Sequence, residues 1–494
     1  MPSLEQKLYQ LIISRIDGGK ISSSSYVEKV VDLVRKGIGG FIVFGGKKDE
    51  VKGFIEKMQS IADIPLFIAS DIERGVGQQL EGAALFPGQM AIAAATDRHD
   101  PDSVKVLGDA IKAIAYEAID AGINMPLIPV LDVNRNPDNP IICTRAFSDS
   151  PEVVAWFGRM YISTLEKTGL ISCAKHFPGH GDTAVDSHIS LPVISKSFKE
   201  LTNEDLIPFI EAVKANVSSI MMGHISVPAI DDLPASLSRK AVDLLRTGPG
   251  YEGLILTDAL NMHALKEVGN IAVNCMNAGI DILLHPENPD AVVEELYQAI
   301  EAGHLAKEKI EMAAARILKY KAGIKNIKKV RIDTDEHEAL SRSISDKSIT
   351  LVKGKSGLIP FKDIKNASLI FSADENKHDL SALKAFIPES VHIRECEGKA
   401  LKEVIIVALF TRIAAWEGSS GIWDEEINII RGLIKKSRTS IVISFGNPYV
   451  LRHFLEADTL IVAYDTTEQA QYSVVRCLKG DIVFQGRLPV ELKV

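Results

Sequence analysis

Leu170 to His188 reads L-I-S-C-A-K-H-F-P-G-H-G-D-T-A-V-D-S-H, and its two parts differ in character. The apolar run Leu170 to Ala174, bounded by Gly169, predicts a short buried strand. From Lys175 onward the chain reads as a loop leaving that strand. It holds one Lys, three His and two Asp, with Pro178, Gly179 and Gly181 bending the backbone. A segment this rich in groups that titrate or bind near neutral pH points to chemistry rather than to a plain surface turn. Two readings stand at this point: a metal site, or an acid/base site that also grips a polar substrate.

Working outward, the same pattern of apolar run and then polar residues recurs. Apolar runs lie at 8–16, 39–44, 66–70, 123–131, 170–174, 218–223, 253–257 and 280–284, with helical patterns such as 102–121 and 151–168 between them. Continuous apolar strands alternating with helices predict a parallel sheet covered on both faces. Eight such units in the first 325 residues fit a (β/α)8 barrel. An open dinucleotide-binding sheet would show G-x-G-x-x-G after its first strand, and this chain does not. The G-K-S at 354–356 is no phosphate loop, because Ile349 stands where the upstream glycine is needed.

The residues just past each run locate the site. Asp71, Glu73 and Arg74 come after the third; Asp132, Asn134 and Arg135 after the fourth; Lys175 and His176 after the fifth. His224 comes after the sixth, and Asp258 with Asn261 and Met262 after the seventh. One strand ending in Asp is commonly a helix N-cap. Polar groups at five successive strand ends are different, because a barrel brings those ends to one mouth.

Composition narrows the class. The 494 residues carry a net charge of −9 without a long basic block, which argues against a nucleic-acid partner. Cys143, Cys173, Cys275, Cys396 and Cys477 are scattered and contain no C-x-x-C, so neither a disulfide framework nor a zinc cluster is expected. The first twenty residues lack the apolar core of a signal peptide, and no run approaches the roughly 18 apolar residues that span a bilayer. The expectation is a cytoplasmic protein with no membrane partner and no cofactor.

K-H-F-P-G-H-G-D-T at 175–183, D-S-H at 186–188 and L-T-D-A-L-N-M at 256–262 resemble the signatures of glycoside hydrolase family 3. The closest resemblance is to its bacterial β-N-acetylglucosaminidases of peptidoglycan recycling. R-A-F-S at 145–148 and D-I-E at 71–73 fit the same pattern. The resemblance implies Asp258 as nucleophile and His188 as acid/base, held by Asp186. It also implies that Lys175, His176, Asp71 and Arg145 bind sugar hydroxyls, and His224 at the sixth strand end joins this substrate-binding set. One position departs: relatives often carry Arg where this chain has Gln79, with Arg74 nearby.

The chemistry is consistent with these roles. Cleavage with retention needs a carboxylate that attacks the anomeric carbon and a proton donor for the departing oxygen. An imidazole with a pKa near ~6.5 can give and take that proton, and a carboxylate partner fixes its tautomer. The implied activity is a retaining exo-β-N-acetylglucosaminidase acting on peptidoglycan- or chitin-derived glycosides. A β-N-acetylglucosaminide phosphorylase or a broad β-glucosidase of the same family is the alternative. A metal-dependent hydrolase would use His176, His180, Asp182, Asp186 and His188, but Lys175 would sit beside the ion and the spacing matches no known zinc motif. A non-catalytic carbohydrate-binding protein has no reason to carry Asp258 together with Asp186 and His188.

The remaining chain predicts a second domain. A helix at 305–322 should end on Gly323, with 326–340 as a charged linker. Apolar runs at 349–352, 368–371, 404–410, 440–444 and 459–463, separated by helical segments, predict an α/β sandwich over 341–494. Within it, Glu417 and Asp424 beside Trp416 and Trp423 are the best site candidates, with domain packing favoured over sugar stacking as the role of the tryptophans.

Overall fold

The computed structural model describes residues 2–183, 191–265, 268–328, 330–373, 377–396, 398–411 and 421–492. The chain divides into two compact units, each discontinuous in sequence: 1–86, 108–133 and 150–338 form the first, and 87–107, 134–149 and 339–494 the second.

The first unit is the expected barrel. Its strands are β1 (Ile12–Asp17), β2 (Gly40–Phe44), β3 (Phe67–Ser70), β4 (Met125–Pro126), β5 (Cys173–Phe177), β6 (Ser219–Met222), β7 (Leu254–Thr257) and β8 (Leu283–Leu284). They pair in parallel in the orders β4-β3-β2-β1-β8 and β5-β6-β7. Parallel bridges Val130↔Lys175 and Leu256↔Ile282 join the two arcs. Leu131 N–H donates to Lys175 O at 2.7 Å, and Thr257 N–H to Ile282 O at 3.0 Å, so the ring closes without a free edge. β4 is shorter than its apolar run because Pro126 and Pro129 supply no N–H to the ladder.

Sequence-local signals shape the surrounding helices. Pro151–Lys167 starts on Ser150, whose hydroxyl accepts from Val153 N–H, with proline in the first turn. Ser24–Lys36 stops at Gly37, which takes the left-handed φ of 90°. The last barrel helix corrects the sequence reading: it spans Lys307–Ile324 and runs through Gly323. Its buried face, Ile310, Ala313, Ala314, Ile317 and Lys321, outweighs the weak helical preference of one glycine. The next helix, Thr334–Ser348, begins inside the stretch read as linker.

The second unit is a sheet of β9 (Thr350–Lys353), β10 (Ala367–Ser372), β11 (Ser390–His392), β12 (Val404–Thr411), β13 (Thr439–Gly446) and β14 (Thr459–Val462). The order is β11-β10-β12-β13-β14-β9, parallel except for the β14–β9 pair. Along β12, Ile405, Val407 and Leu409 enter one apolar core, and Val404, Ile406 and Ala408 enter the other. Ile427, Ile430 and Ile434 of helix Asp424–Lys436 fill the first; Val474 and Leu478 of helix Glu468–Lys479 fill the second. This is the expected α/β sandwich. Met90, Ala91, Ala94 and Cys143 also enter the first core, which is why two segments from within 1–325 belong to this unit.

Candidate active site

β5 is the axis of the site, and it corrects the reading of Lys175 as the start of a loop. Cys173 to Phe177 are strand, all five buried. The strand pairs further along than the apolar run suggested, because Cys173 N–H donates to Ile128 O and Lys175 N–H to Pro129 O. The Ile128–Pro129, Lys175–His176 and Phe177–Pro178 peptides are cis.

Lys175 is 1% exposed, and a buried ammonium requires charged partners. Its Nζ donates to Asp71 Oδ1 at 2.7 Å and lies 2.8 Å from Glu73 Oε1. Both carboxylates come just after β3, two places round the ring from β5. Glu73 is buried, whereas the Asp71 side chain keeps 32% of its surface and can meet a ligand. Gln79 Nε2 donates to Asp71 O at 3.1 Å, bracing that backbone. Arg74 Nε donates to Phe86 O at 3.2 Å.

Asp132, beyond β4, is fully buried and organises the next layer. Its Oδ2 lies 2.8 Å from His176 Nδ1, and Oδ1 accepts from His176 N–H at 3.2 Å and His180 N–H at 2.7 Å. Burial alone would raise this carboxyl, but the His176 charge and these donors outweigh it and hold it below the usual range. With Nδ1–H given to the carboxylate, the His176 Nε2 is the ring atom left for a ligand. His180 is neutral: burial lowers its pKa to about 4 against the opposing pull of Asp132. Its Nδ1 sits 2.7 Å from Thr183 Oγ1, whose own proton goes to His180 O at 3.0 Å, so Nδ1 carries the hydrogen.

Asp258 lies just past β7 and is partly exposed. Its N–H donates to Met222 O at 2.9 Å, and its Oδ1 accepts from Ala259 N–H at 2.8 Å. Its charge reaches β5, acting to raise the pKa of both His180 and Cys173. His224 is fully buried behind this turn. Its Nε2 lies 3.2 Å from Ala259 O, a pure acceptor, so Nε2 carries the hydrogen and Nδ1 accepts from Ser236 Oγ at 2.8 Å. His224 thus braces the backbone beside Asp258.

The eighth strand end carries a residue that the sequence reading passed over. His285 comes just after β8 with a φ of 50°, its N–H donating to Ile13 O at 2.7 Å. Its ring centroid is 5.8 Å from that of Phe44, and the Arg15 guanidinium lies 4.9 Å from the Phe44 centroid. Burial and then Arg15 lower the His285 pKa to about 4, while Asp71 pulls the other way. The signal was present: L-L-H at 283–285 repeats the apolar-run-then-polar pattern of the other strand ends.

The remaining candidates are placed differently. Arg145 belongs to the second unit, on the turn Cys143–Arg145, where its Nη1 donates to Ile141 O at 3.0 Å and its own carbonyl accepts from Gln89 Nε2 at 2.9 Å. Asp186 and His188 lie outside the described residues, as do Trp416 and Glu417. Asp424 opens its helix beside Trp423, which is 69% exposed. Among the described residues no three His, Cys, Asp or Glu side chains are grouped to hold a metal, and no helix is long and apolar enough to cross a membrane.

A mouth with a buried ammonium, two carboxylates on it and a separate carboxylate at β7 suits a polyhydroxylated ligand. The chain is similar over most of its length to known proteins. Beta-hexosaminidase A of Pseudoalteromonas piscicida is 32% identical over 388 residues, which is 70% of this chain and 64% of that protein. A beta-N-acetylglucosaminidase/beta-glucosidase of Cellulomonas fimi is 26% identical over 507 aligned positions, covering 92% of this chain and 88% of the relative. A family 3 beta-N-acetylglucosaminidase from Paenibacillus sp. str. FPU-7 superposes with a TM-score of 0.86 at 28% identity, over 100% of both chains. The model of the glycosyl hydrolase family 3 N-terminal domain matches residues 3–320, and with the closed barrel and its strand-end carboxylates this establishes that the chain belongs to glycosyl hydrolase family 3.

Proposed function

We propose that the protein is a retaining exo-β-N-acetylglucosaminidase acting on glycosides derived from peptidoglycan or chitin. The observation that carries the reading is the pairing of an ammonium–carboxylate floor, Lys175 with Asp71 and Glu73, with a separately held carboxylate, Asp258. The floor binds sugar hydroxyls through Asp71, Lys175 and His176 Nε2, with Arg145 assigned to the same task. Asp258 attacks the anomeric carbon, and its anchoring to Ala259 N–H and, through its own backbone, to Met222 suits a nucleophile that must not wander.

In the first step His188 gives a proton to the departing oxygen while Asp258 forms the glycosyl ester. In the second, the neutral imidazole takes a proton from water as that water attacks the ester, and Asp258 leaves as carboxylate. Asp186 orients the imidazole. His180, held neutral, keeps a second positive charge away from Asp258, and His224 braces the Asp258–Ala259 backbone.

A β-glucosidase activity is the second reading, favoured by the dual name of the Cellulomonas fimi relative. Turnover of a chromogenic β-N-acetylglucosaminide beside the matching β-glucoside, with and without phosphate, separates these. Preference for the acetamido sugar with water as acceptor supports the proposal; equal or better turnover of the glucoside overturns it.

A further inference from the structure

The sugar-binding floor occupies one side of the barrel mouth, at the ends of β3 to β5. On the opposite side, β8, β1 and β2 bring up three side chains that the mechanism above does not use: His285, Arg15 and Phe44.

The strand register shows which way they face. Arg15 pairs with Ile42, Asp17 with Phe44, and Ile42 with Ala69. Paired residues share a face of a sheet, and residues two apart along a strand return to it, so Arg15, Phe44 and Ala69 stand on one side. Asp71, two past Ala69, continues that side, and its Oδ1 meets Lys175 Nζ of β5 across the end of β4. A contact that skips a strand is made on the concave side of the ring. Arg15 and Phe44 therefore face the mouth, as Asp71 does.

The Arg15 guanidinium is held but not spent. It lies 4.9 Å from the Phe44 ring centroid, and its ion-pair partner, Asp17 Oδ2, is 3.7 Å away, beyond hydrogen-bond reach. Asp17 is shared with Lys20, at 3.1 Å. With 47% of its side chain exposed, Arg15 keeps a fork of N–H donors open to a ligand. Lys175, by contrast, is shared by Asp71 and Glu73, while Arg74 Nε and Gln79 Nε2 donate to backbone carbonyls.

His285 flanks the pair. Its ring centroid is 5.8 Å from that of Phe44, and its backbone sits in the left-handed region at a φ of 50°. That conformation costs a non-glycine residue energy, and such costs gather at ligand sites. Neither the guanidinium nor the His285 ring has a hydrogen-bond partner among the described residues. The ring, held neutral, offers one donor and one acceptor.

We propose that Arg15, backed by Phe44 and flanked by His285, is a further substrate-contacting residue that donates to a ring hydroxyl of the non-reducing sugar. This rests on the reading of Asp258 as nucleophile and Asp71 as a sugar ligand. The ring order gives the placement. β3 stands four strands from β7, so a pyranose with its anomeric carbon at Asp258 turns its far edge toward Asp71. β1 is midway between them and faces β5, so Arg15 meets the sugar from the flank opposite Lys175 and His176.

The test uses the full chain with Arg15→Gln, Arg15→Lys and Asp258→Ala. Values of kcat/KM are measured on a nitrophenyl β-N-acetylglucosaminide and on its 3-deoxy, 4-deoxy and 6-deoxy counterparts. Arg15→Gln is expected to lose about 10–10²-fold on the parent sugar, because a charge-assisted hydrogen bond to a hydroxyl is gone. Arg15→Lys recovers part of this, since the charge stays and the fork does not. On one deoxy sugar the Arg15→Gln loss should shrink to within about threefold, as the contact is already missing there, and that sugar names the hydroxyl. Urea denaturation checks the fold of Arg15→Gln, and Arg15→Lys carries the same comparison if Arg15→Gln is unfolded. An equal loss on the parent and all three deoxy sugars overturns the proposal. So does full activity on the parent in water, whatever happens to turnover with phosphate. An inactive Asp258→Ala beside an unaffected Arg15→Gln overturns this inference alone. If Asp258→Ala keeps its turnover, the nucleophile reading falls and the placement of Arg15 falls with it.

Discussion

Lys175 Nζ lies 2.8 Å from Glu73 Oε1, although β4 stands between the strands that carry them. The lysine therefore reaches over the barrel mouth, and the contact joins the β3 and β5 ends into one floor. With Lys175 1% and Glu73 7% exposed, neither charge has water as an alternative partner.

Lys175→Met should consequently cost both stability and turnover. Leaving Glu73 and Asp71 without their cation is expected to destabilise the barrel by about 3–5 kcal/mol. Adding Glu73→Gln should recover part of that stability and none of the activity, because the sugar-binding cation stays absent. Urea denaturation with kcat/KM on the single and double variants checks this; full recovery of both would mean the pair is only structural.

Asp132→Asn tests the next layer. Both carboxylate oxygens accept, Oδ2 from His176 and Oδ1 from two backbone N–H groups. An amide that keeps its oxygen on the two backbone N–H groups turns its own N–H toward His176 Nδ1, which then carries no hydrogen. A loss of about 10²-fold or more in kcat is expected, as His176 loses the partner that fixes its tautomer. Unchanged kcat in a folded variant would remove His176 from the substrate-binding set.

His180 should titrate near 4 rather than near 6.5. Its folded pKa is depressed, so the neutral ring supports the fold above the unfolded value, and that support is lost as pH falls from about 6.5 through about 4. On the order of 3 kcal/mol should go in that window, less in His180→Gln. Imidazole NMR resonances recorded against pH check the midpoint; a value near 6.5 would show that the ring is solvated.

Much of this was legible in the sequence because strands covered on both faces are continuous apolar runs, which set the eight-fold alternation apart. The polar residues after those runs marked the mouth for the same reason. What the residues hid was long-range compensation. Lys175 could be strand only because Asp71, 104 positions earlier, neutralises it, and no local pattern records that. Met90 and Cys143 likewise find their core in strands far along the chain, so the second unit does not start at one boundary. Gly323 stays helical through packing that begins with Ile310 on the same helix. His285 has a simpler account: the polar ends read after the third to the seventh runs continue at the eighth, where L-L-H repeats the pattern.

Removing the base should expose the covalent step. With His188→Ala, a nitrophenyl leaving group departs without a proton, but water is no longer activated against the ester. A burst of nitrophenolate and then slow turnover is expected. Phosphate or azide added as an alternative acceptor should speed the slow phase, and no burst would mean that the first step is rate-limiting.

The most direct test of the central claim is the intact mass of His188→Ala quenched during turnover of a nitrophenyl β-N-acetylglucosaminide, with peptide mapping of the product. The protein should carry one N-acetylglucosaminyl residue, and the adduct should map to Asp258 in the peptide containing L-T-D-A-L-N-M. An adduct on another side chain, or nitrophenolate release through many turnovers with unmodified protein throughout, would contradict Asp258 as the nucleophile.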